Sequence, residues 1–118
     1  MNQTVRFQEI LRRLAIVDED FVEGQAGLGL APAGLSALDP KTAMLLQLAA
    51  LAAIGSSEGS LQWSTGRALA AGASEDEIAE VLLVIAPVAG LSRVVAAAPE
   101  VAMTLGYDID AALEEPDG

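Results

Sequence analysis

Residues 38–90 read LDPKTAMLLQLAALAAIGSSEGSLQWSTGRALAAGASEDEIAEVLLVIAPVAG and contain the clearest helix start and stop signals of the chain. Asp39 and Pro40 predict the start of a helix, because aspartate can cap free backbone N–H groups and proline at the first helical position loses no hydrogen bond. The helix is expected to run to about Ile54 and is apolar almost all round. Such a helix is typical of a central buried position or of an interface. Gly55 and the serines after it predict the break that follows.

Two further helices are predicted in the same stretch. The first covers residues 58–70 and is expected to stop at Gly72, since glycine is common just beyond a helix C-terminus. The second opens with Ser74 and Glu77, which can form a capping box in which each side chain bonds the backbone N–H of the other residue. We expect Pro87 to kink or end this helix, because proline lacks the N–H that a helix interior needs.

The flanking residues extend the helical pattern. Residues 1–37 contain an amphipathic segment over residues 5–17, a candidate short helix over residues 18–25 and a glycine-rich loop. A last long helix is predicted from about Ser92. Residues 108–118 form an acidic tail that we expect to fray.

These patterns predict one all-α domain of about six helices, with residues 38–107 as its core, because no segment alternates in the way that strands require. The composition is 53% hydrophobic but only 3% aromatic, with a mean hydropathy of +0.44. A small domain has difficulty covering so much apolar surface, and large exposed patches usually mark interfaces. Self-association is therefore favoured over the alternative, an unusually alanine-rich monomeric core.

The charge of the chain excludes several classes of partner. There are 17 acidic residues and 6 basic residues, giving a formal net charge of -11. The bases form no stripe, so binding to nucleic acid is not expected. An acidic protein is also repelled by an anionic membrane surface, and no apolar run is long enough to span a bilayer. We therefore expect a cytoplasmic protein without nucleic-acid or membrane partners.

The chain contains no cysteine and no histidine. This composition excludes a disulfide, a thiolate nucleophile and a cysteine-ligated metal site. The acid clusters at residues 18–20 and 108–117 do not follow the glycine and terminal-glutamate pattern of a calcium-binding loop. We therefore predict no metal site and no cofactor.

Residues 38–107 resemble the carboxymuconolactone decarboxylase family, which includes the AhpD-like proteins. The resemblance lies in the order and spacing of several short features and not in one motif. These features are residues 38–42 opening a helix, an Ala/Leu-rich helix ending at Gly55, Arg67-Ala68 leading to Ala71-Gly72, EDEIAE at residues 75–80, and VLLVIAPVAG at residues 81–90.

The resemblance implies an all-helical domain in which two chains complete one helical assembly. Members of the family commonly form homotrimers or homohexamers. Two activities are associated with it. One is decarboxylation of 4-carboxymuconolactone, and the other is AhpD-type peroxide reduction by a CxxC pair with a nearby histidine and glutamate.

The chain departs from the family at these reactive positions. Aligned on the family pattern, the two redox cysteines fall on Ser57 and Ser60, the histidine falls on Ser64, and the relay glutamate falls near Leu45. Thiol–disulfide exchange needs a thiolate that attacks sulfur, which serine cannot provide. Dithiol peroxidase activity is therefore excluded, and the missing histidine argues against the decarboxylase activity as well.

The three serines can share one helix face, because they are spaced by three and by four residues. In one interpretation Ser57, Ser60 and Ser64 form a polar pocket that binds a ligand. In the other, which we favour, Ser57 is an N-cap and the other two fill tight helix–helix contacts. Trp63 could form a wall of the pocket, although an interface or core contact is the favoured role.

Four charged residues complete the candidate site. Arg67 is the best candidate for holding a ligand carboxylate through bidentate pairing, with a salt bridge to Glu80 as the structural alternative. Arg93 is either a second anion contact or a capping or interface charge. Glu58 and Glu80 are the candidate catalytic groups for proton transfer, provided that they are buried.

Two functions remain open from the sequence. One is a cofactor-free lyase- or isomerase-like enzyme for a small organic acid, in which Arg67 holds the carboxylate, Trp63 walls the pocket and Glu58 or Glu80 moves a proton. The other is a non-catalytic oligomeric module that binds a small ligand or supports an assembly.

Overall fold

Helices account for all of the regular structure in the described part of the chain. The computed structural model describes residues 3–16 and 37–114. The chain divides into two units, Met1–Ala37 and Leu38–Gly118. Six helices and no strand occur among the described residues, which confirms the all-α class. The helices are α1 (Gln3–Ala15), α2 (Pro40–Ile54), α3 (Glu58–Ala70), α4 (Glu75–Ala89), α5 (Leu91–Thr104) and α6 (Ile109–Glu114).

The first unit contains α1, at the position predicted for an amphipathic helix. Along it, the Glu9 carboxylate accepts from the guanidinium groups of Arg12 and Arg13, at 2.7 and 2.9 Å. These two groups hold the pKa of Glu9 below its ordinary value. The predicted short helix over residues 18–25 and the glycine-rich loop lie outside the described residues.

α2 begins and ends where the sequence predicts. The Asp39 carboxylate accepts from the Thr42 backbone N–H at 2.7 Å, and Pro40 occupies the first helical turn. At the other end Gly55 has a φ of 80°, in the left-handed region, and Ser56 donates its backbone N–H to a carbonyl of the last turn. This ending satisfies carbonyls that would otherwise lack donors.

α2 lies centrally in the second unit, packed against α3, α4 and α5. Its buried stripe follows the helical period and consists of Ala43, Met44, Leu48 and Ala52. Leu46 and Ile54, on the remaining surface of the helix, are exposed. The helix that reads as apolar all round is therefore buried along one face only. The core is completed by Leu61, Ala68, Ala73, Ile78, Ala97 and Val101.

α4 begins with the predicted capping box. The Ser74 hydroxyl accepts from the Glu77 backbone N–H at 3.0 Å, and the Glu77 carboxylate accepts from the Ser74 backbone N–H at 2.8 Å. The second oxygen of Glu77 pairs with the Lys41 ammonium at 3.0 Å. One glutamate therefore caps α4 and ties its start to the start of α2.

Two expectations for the C-terminal part need correction. α4 does not end at Pro87 but continues to Ala89, and Gly90 then separates it from α5. The acidic tail is not wholly frayed, because residues 109–114 form α6. The Asp108 carboxylate accepts from the Ala111 backbone N–H at 3.1 Å, and this contact gives the short helix an N-terminal cap. None of the described helices is both long enough and apolar enough to cross a bilayer.

Leu48→Ala tests the central position of α2. Leu48 is fully buried, so its truncation removes apolar contacts and leaves a cavity in the core. We expect a loss of about 2–5 kcal/mol in the free energy of unfolding, measured by urea denaturation at a fixed protein concentration. Leu46→Ala, on the exposed face of the same helix, should cost less than about 1 kcal/mol. Equal losses would show that α2 is not packed as described.

Glu77→Gln is expected to reduce the acid sensitivity of the fold. The Ser74 backbone N–H and then the Lys41 ammonium hold the pKa of Glu77 below its ordinary value. A carboxyl whose pKa is lowered by folding adds stability that is present above the unfolded pKa and is lost as the pH falls through the folded pKa. Glutamine keeps an oxygen for the cap but does not titrate.

The measurement is urea unfolding of wild type and variant from neutral pH through the acidic range. The matched control is Glu80→Gln, which removes the same charge from an exposed position on the same helix. If wild type and Glu77→Gln lose stability equally steeply on acidification, the carboxylate does not contribute in this way.

Candidate functional site

A polar cleft of about 310 Å³ lies where the end of α2, the start of α3 and one face of α5 meet. Three of the predicted site residues line it, namely Ser57, Glu58 and Arg93. Ser56 and Glu100, which the sequence analysis did not single out, line it too. The rest of the lining is glycine, alanine and leucine, so the polar side chains carry whatever chemistry the cleft has.

Ser57 is the N-cap of α3. Its hydroxyl oxygen accepts from the Ser60 backbone N–H at 3.3 Å, and its hydroxyl proton is donated to the Ser60 side-chain oxygen at 3.0 Å. The two side chains thus contact each other at the start of the helix, as side chains three residues apart do. The Ser57 hydroxyl therefore caps the start of α3, which is the role favoured from the sequence for Ser57.

Ser64 does not share a surface with Trp63. Ser64 has 3% of its surface exposed, in the contact between α3 and the rest of the core, whereas Trp63 is 51% exposed. Beside Ser64, the buried Thr65 hydroxyl donates to the Leu61 backbone carbonyl at 2.7 Å. The structure therefore separates the serine at the family's histidine position from the only tryptophan in the chain.

Arg67 belongs to a second, separate cluster. Its guanidinium lies over the Trp63 ring, 4.7 Å from the ring centroid, and donates to the Gln47 side-chain oxygen at 3.4 Å. The alternative salt bridge to Glu80 is not formed, since the ion pairs of the described residues do not include Arg67. Glu80 is exposed and lines a groove with Leu45 on the α2–α4 side. Arg67 and Glu80 are thus not lining residues of the cleft.

Arg93 packs against the turn between α2 and α3. Its guanidinium lies so close to Gly55 that a methyl group on that glycine would overlap it. The other two charged lining residues are Glu58, which is exposed, and Glu100, which is half-buried. The Glu100 carboxylate accepts from the Gln62 side-chain amide at 2.8 Å, a contact between α5 and α3. Glu58 and Glu80 therefore lack the burial that their proposed catalytic role requires.

A model of the carboxymuconolactone decarboxylase family matches residues 20–102, well over half of the chain. The chain belongs to the carboxymuconolactone decarboxylase family. Neither the comparison with curated proteins nor that with solved structures gives a match. Family membership confirms the resemblance drawn from residues 38–107. It does not assign an activity to this protein.

In this member of the carboxymuconolactone decarboxylase family, Ser57 and Ser60 stand where the resemblance leads us to expect the redox cysteines. Their hydroxyls are joined at the start of α3, where the cleft opens. The described residues contain no group of three or more carboxylates that could hold a metal ion. The available chemistry of the cleft is that of hydroxyls, two carboxylates and one guanidinium.

Glu100 could have been recognised as a candidate from its spacing in the sequence. It follows Arg93 by seven residues, which places both on one face of an α-helix. The link from this face to Ser57 and Glu58 depends on how α5 packs against α3, and no local pattern encodes that packing.

Gly55→Ala tests the turn that shapes the cleft. Gly55 has a positive φ that costs other residues roughly 1 kcal/mol, and the added methyl group would also displace Arg93. Gly59→Ala is the control, because a methyl group there meets no atom within 4 Å. Gly59 lies inside α3, so alanine should stabilise by about 0.5–1 kcal/mol. Thermal or urea unfolding should give opposite signs for the two variants, and the same sign would contradict the assigned turn.

Proposed function

We propose that this protein is a non-catalytic, homo-oligomeric helical module of its family. The observation that carries the proposal is that Ser57, aligned with a reactive cysteine, uses its hydroxyl to cap α3 and to bond Ser60. A serine nucleophile needs a base within hydrogen-bond distance, and Ser57 has none among the contacts of the described residues. In this proposal Ser57 and Ser60 stabilise the start of α3 and take no part in a reaction.

The surface formed by α4 and α5 supports self-association. We call this surface the apolar face; each of its side chains is more than half exposed, and Val88 is 92% exposed. Its members are Leu83, Val84, Val88, Leu91 and Val95. Exposed apolar side chains of this kind are typical of the core of a protein–protein interface.

A second copy of the chain is the occupant that best fits this face. An apolar groove of about 660 Å³ lies beside it, between α4, α5 and α6, and extends the surface that a partner can cover. The chain carries a net charge of -11, so two copies repel each other over most of their surfaces. An uncharged face is where copies can meet with the least repulsion, and burying its side chains supplies the driving force.

A cofactor-free lyase-like activity on a small organic acid is the second candidate. The observation in its favour is that Arg93, Glu58 and Ser57 line one cleft. In this version Arg93 holds the carboxylate, because Arg67 is engaged with Trp63 and Gln47. The exposure of Glu58 weighs against it, since an exposed carboxylate is a weak proton donor or acceptor for catalysis near neutral pH.

Val88→Lys tests the assembly surface. A lysine charge on the apolar face costs free energy to bury in an interface, so the variant should dissociate into smaller species. The matched control is Ile54→Lys, which places the same charge near the C-terminal end of another helix, at an exposed apolar residue outside this face. Light scattering should give an oligomeric mass for wild type and Ile54→Lys, and a reduced mass for Val88→Lys. A monomeric wild type would refute the proposal.

The enzyme candidate is tested by turnover of 4-carboxymuconolactone by the purified protein. The non-catalytic proposal predicts a rate equal to that of the buffer. Turnover that is lost in Arg93→Gln but retained in Arg67→Gln would establish the second candidate in its place.

A further inference from the structure

Opposite charges line the polar cleft without forming an ion pair. Arg93 contributes one positive charge, and Glu58 and Glu100 contribute two negative charges. The ion pairs with N–O distances up to 4.0 Å in the described part of the chain are Glu9 with Arg12 and Arg13, and Lys41 with Glu77. The charges of the cleft are therefore separated by more than contact distance, and space remains between them.

The backbone arrangement keeps these charges apart. Arg93 and Glu100 project from one face of α5, with the small residues Ala96 and Ala97 between them. Glu58 comes from the first turn of α3, on the other side of the cleft. Alanines between the charged side chains leave the cavity open where larger side chains would fill it.

Two of the charged groups are held in place by contacts outside the cavity. Gly55 leaves room for the Arg93 guanidinium to lie against the turn, since any side chain there would overlap it. One oxygen of Glu100 accepts from the Gln62 amide at 2.8 Å, and its other oxygen has no donor among the described residues. The hydrogen bond to Gln62 orients the Glu100 carboxylate before any ligand arrives, which lowers the entropic cost of binding there.

We propose that this cleft binds a small zwitterion whose carboxylate pairs with Arg93 and whose ammonium group pairs with Glu58 and Glu100. A simple anion would meet two carboxylates of its own sign, and a simple cation would meet the guanidinium. A molecule with both charges satisfies all three groups at once. The volume of about 310 Å³ is at the small end of ligand sites, which suits a molecule the size of an amino acid.

This binding site does not depend on the oligomeric state. The lining residues of α5 are Arg93, Ala96, Ala97 and Glu100, whereas Leu91 and Val95 of the same helix belong to the apolar face. A monomeric protein could bind the zwitterion, and an oligomer could fail to bind it. The experiment below therefore separates this inference from the proposed function.

The test titrates isotope-labelled full-length protein with glycine, β-alanine and 4-aminobutyrate, which differ in the separation of their two charges. Acetate, propionate and butyrate carry the carboxylate alone, and methylamine, ethylamine and propylamine carry the ammonium group alone. We expect at least one zwitterion to shift the amide resonances of residues 55–61 and 93–100 at millimolar concentration. Its matched singly charged analogues should bind at least about tenfold more weakly, because each leaves part of the cleft unpaired.

Three variants test which charges of the cleft bind the zwitterion. Arg93→Gln, Glu58→Gln and Glu100→Gln should each weaken binding of that zwitterion about tenfold or more, and Glu100→Gln retains an oxygen for Gln62. Arg67→Gln and Glu80→Gln remove the same charges outside the cleft and should leave the affinity unchanged. The resonance spectrum of each variant verifies its fold. The inference is overturned if no zwitterion shifts the cleft resonances, if a carboxylate alone binds as tightly, or if Arg93→Gln binds like wild type.

Discussion

The turn between α2 and α3 is the constraint on which the rest of the structure depends. Gly55 adopts a backbone conformation that a side chain would strain, and Ser57 caps the next helix two residues later. This short connection fixes how the central helix meets α3. It also leaves space beside Gly55 for the Arg93 guanidinium, which a side chain at residue 55 would overlap. The absence of a side chain at Gly55 therefore contributes to the shape of the cleft.

The same turn shows what a serine does at the start of a helix, and how this differs from what a cysteine would do there. A cysteine at the start of a helix gains from the helix dipole, which stabilises a thiolate. A serine at that position stays protonated, and its hydroxyl satisfies a free backbone N–H of the first turn instead. The fold needs only a cap at this position. Serine at this position therefore serves the helix through its hydroxyl, without the thiolate that dithiol chemistry needs.

Local signals in the sequence were sufficient for the helix boundaries and insufficient for the site. Asp39, Ser74 and Gly55 act on the backbone within four residues of themselves, so their effects could be predicted from spacing. Pro87 shows the limit of such a signal: it removes one backbone donor, yet α4 continues to the glycine that ends it. Arg93 and Ser57 were both candidates from the sequence, but which candidates line one cleft depends on how α5 packs, and spacing does not encode that packing. Arg67, three residues after Ser64 in sequence, lies instead against Trp63 and Gln47.

The most direct measurement of the central claim is hydroperoxide consumption by the purified protein, with dithiothreitol as the reductant and no added thiol protein. The chain has no cysteine, so it has no thiol that could pass electrons from the reductant to the hydroperoxide through a disulfide. We predict a rate equal to that of the reductant alone at every protein concentration. Consumption that increases in proportion to the protein, and persists over many turnovers, would contradict the assignment of Ser57 and Ser60 to a structural role.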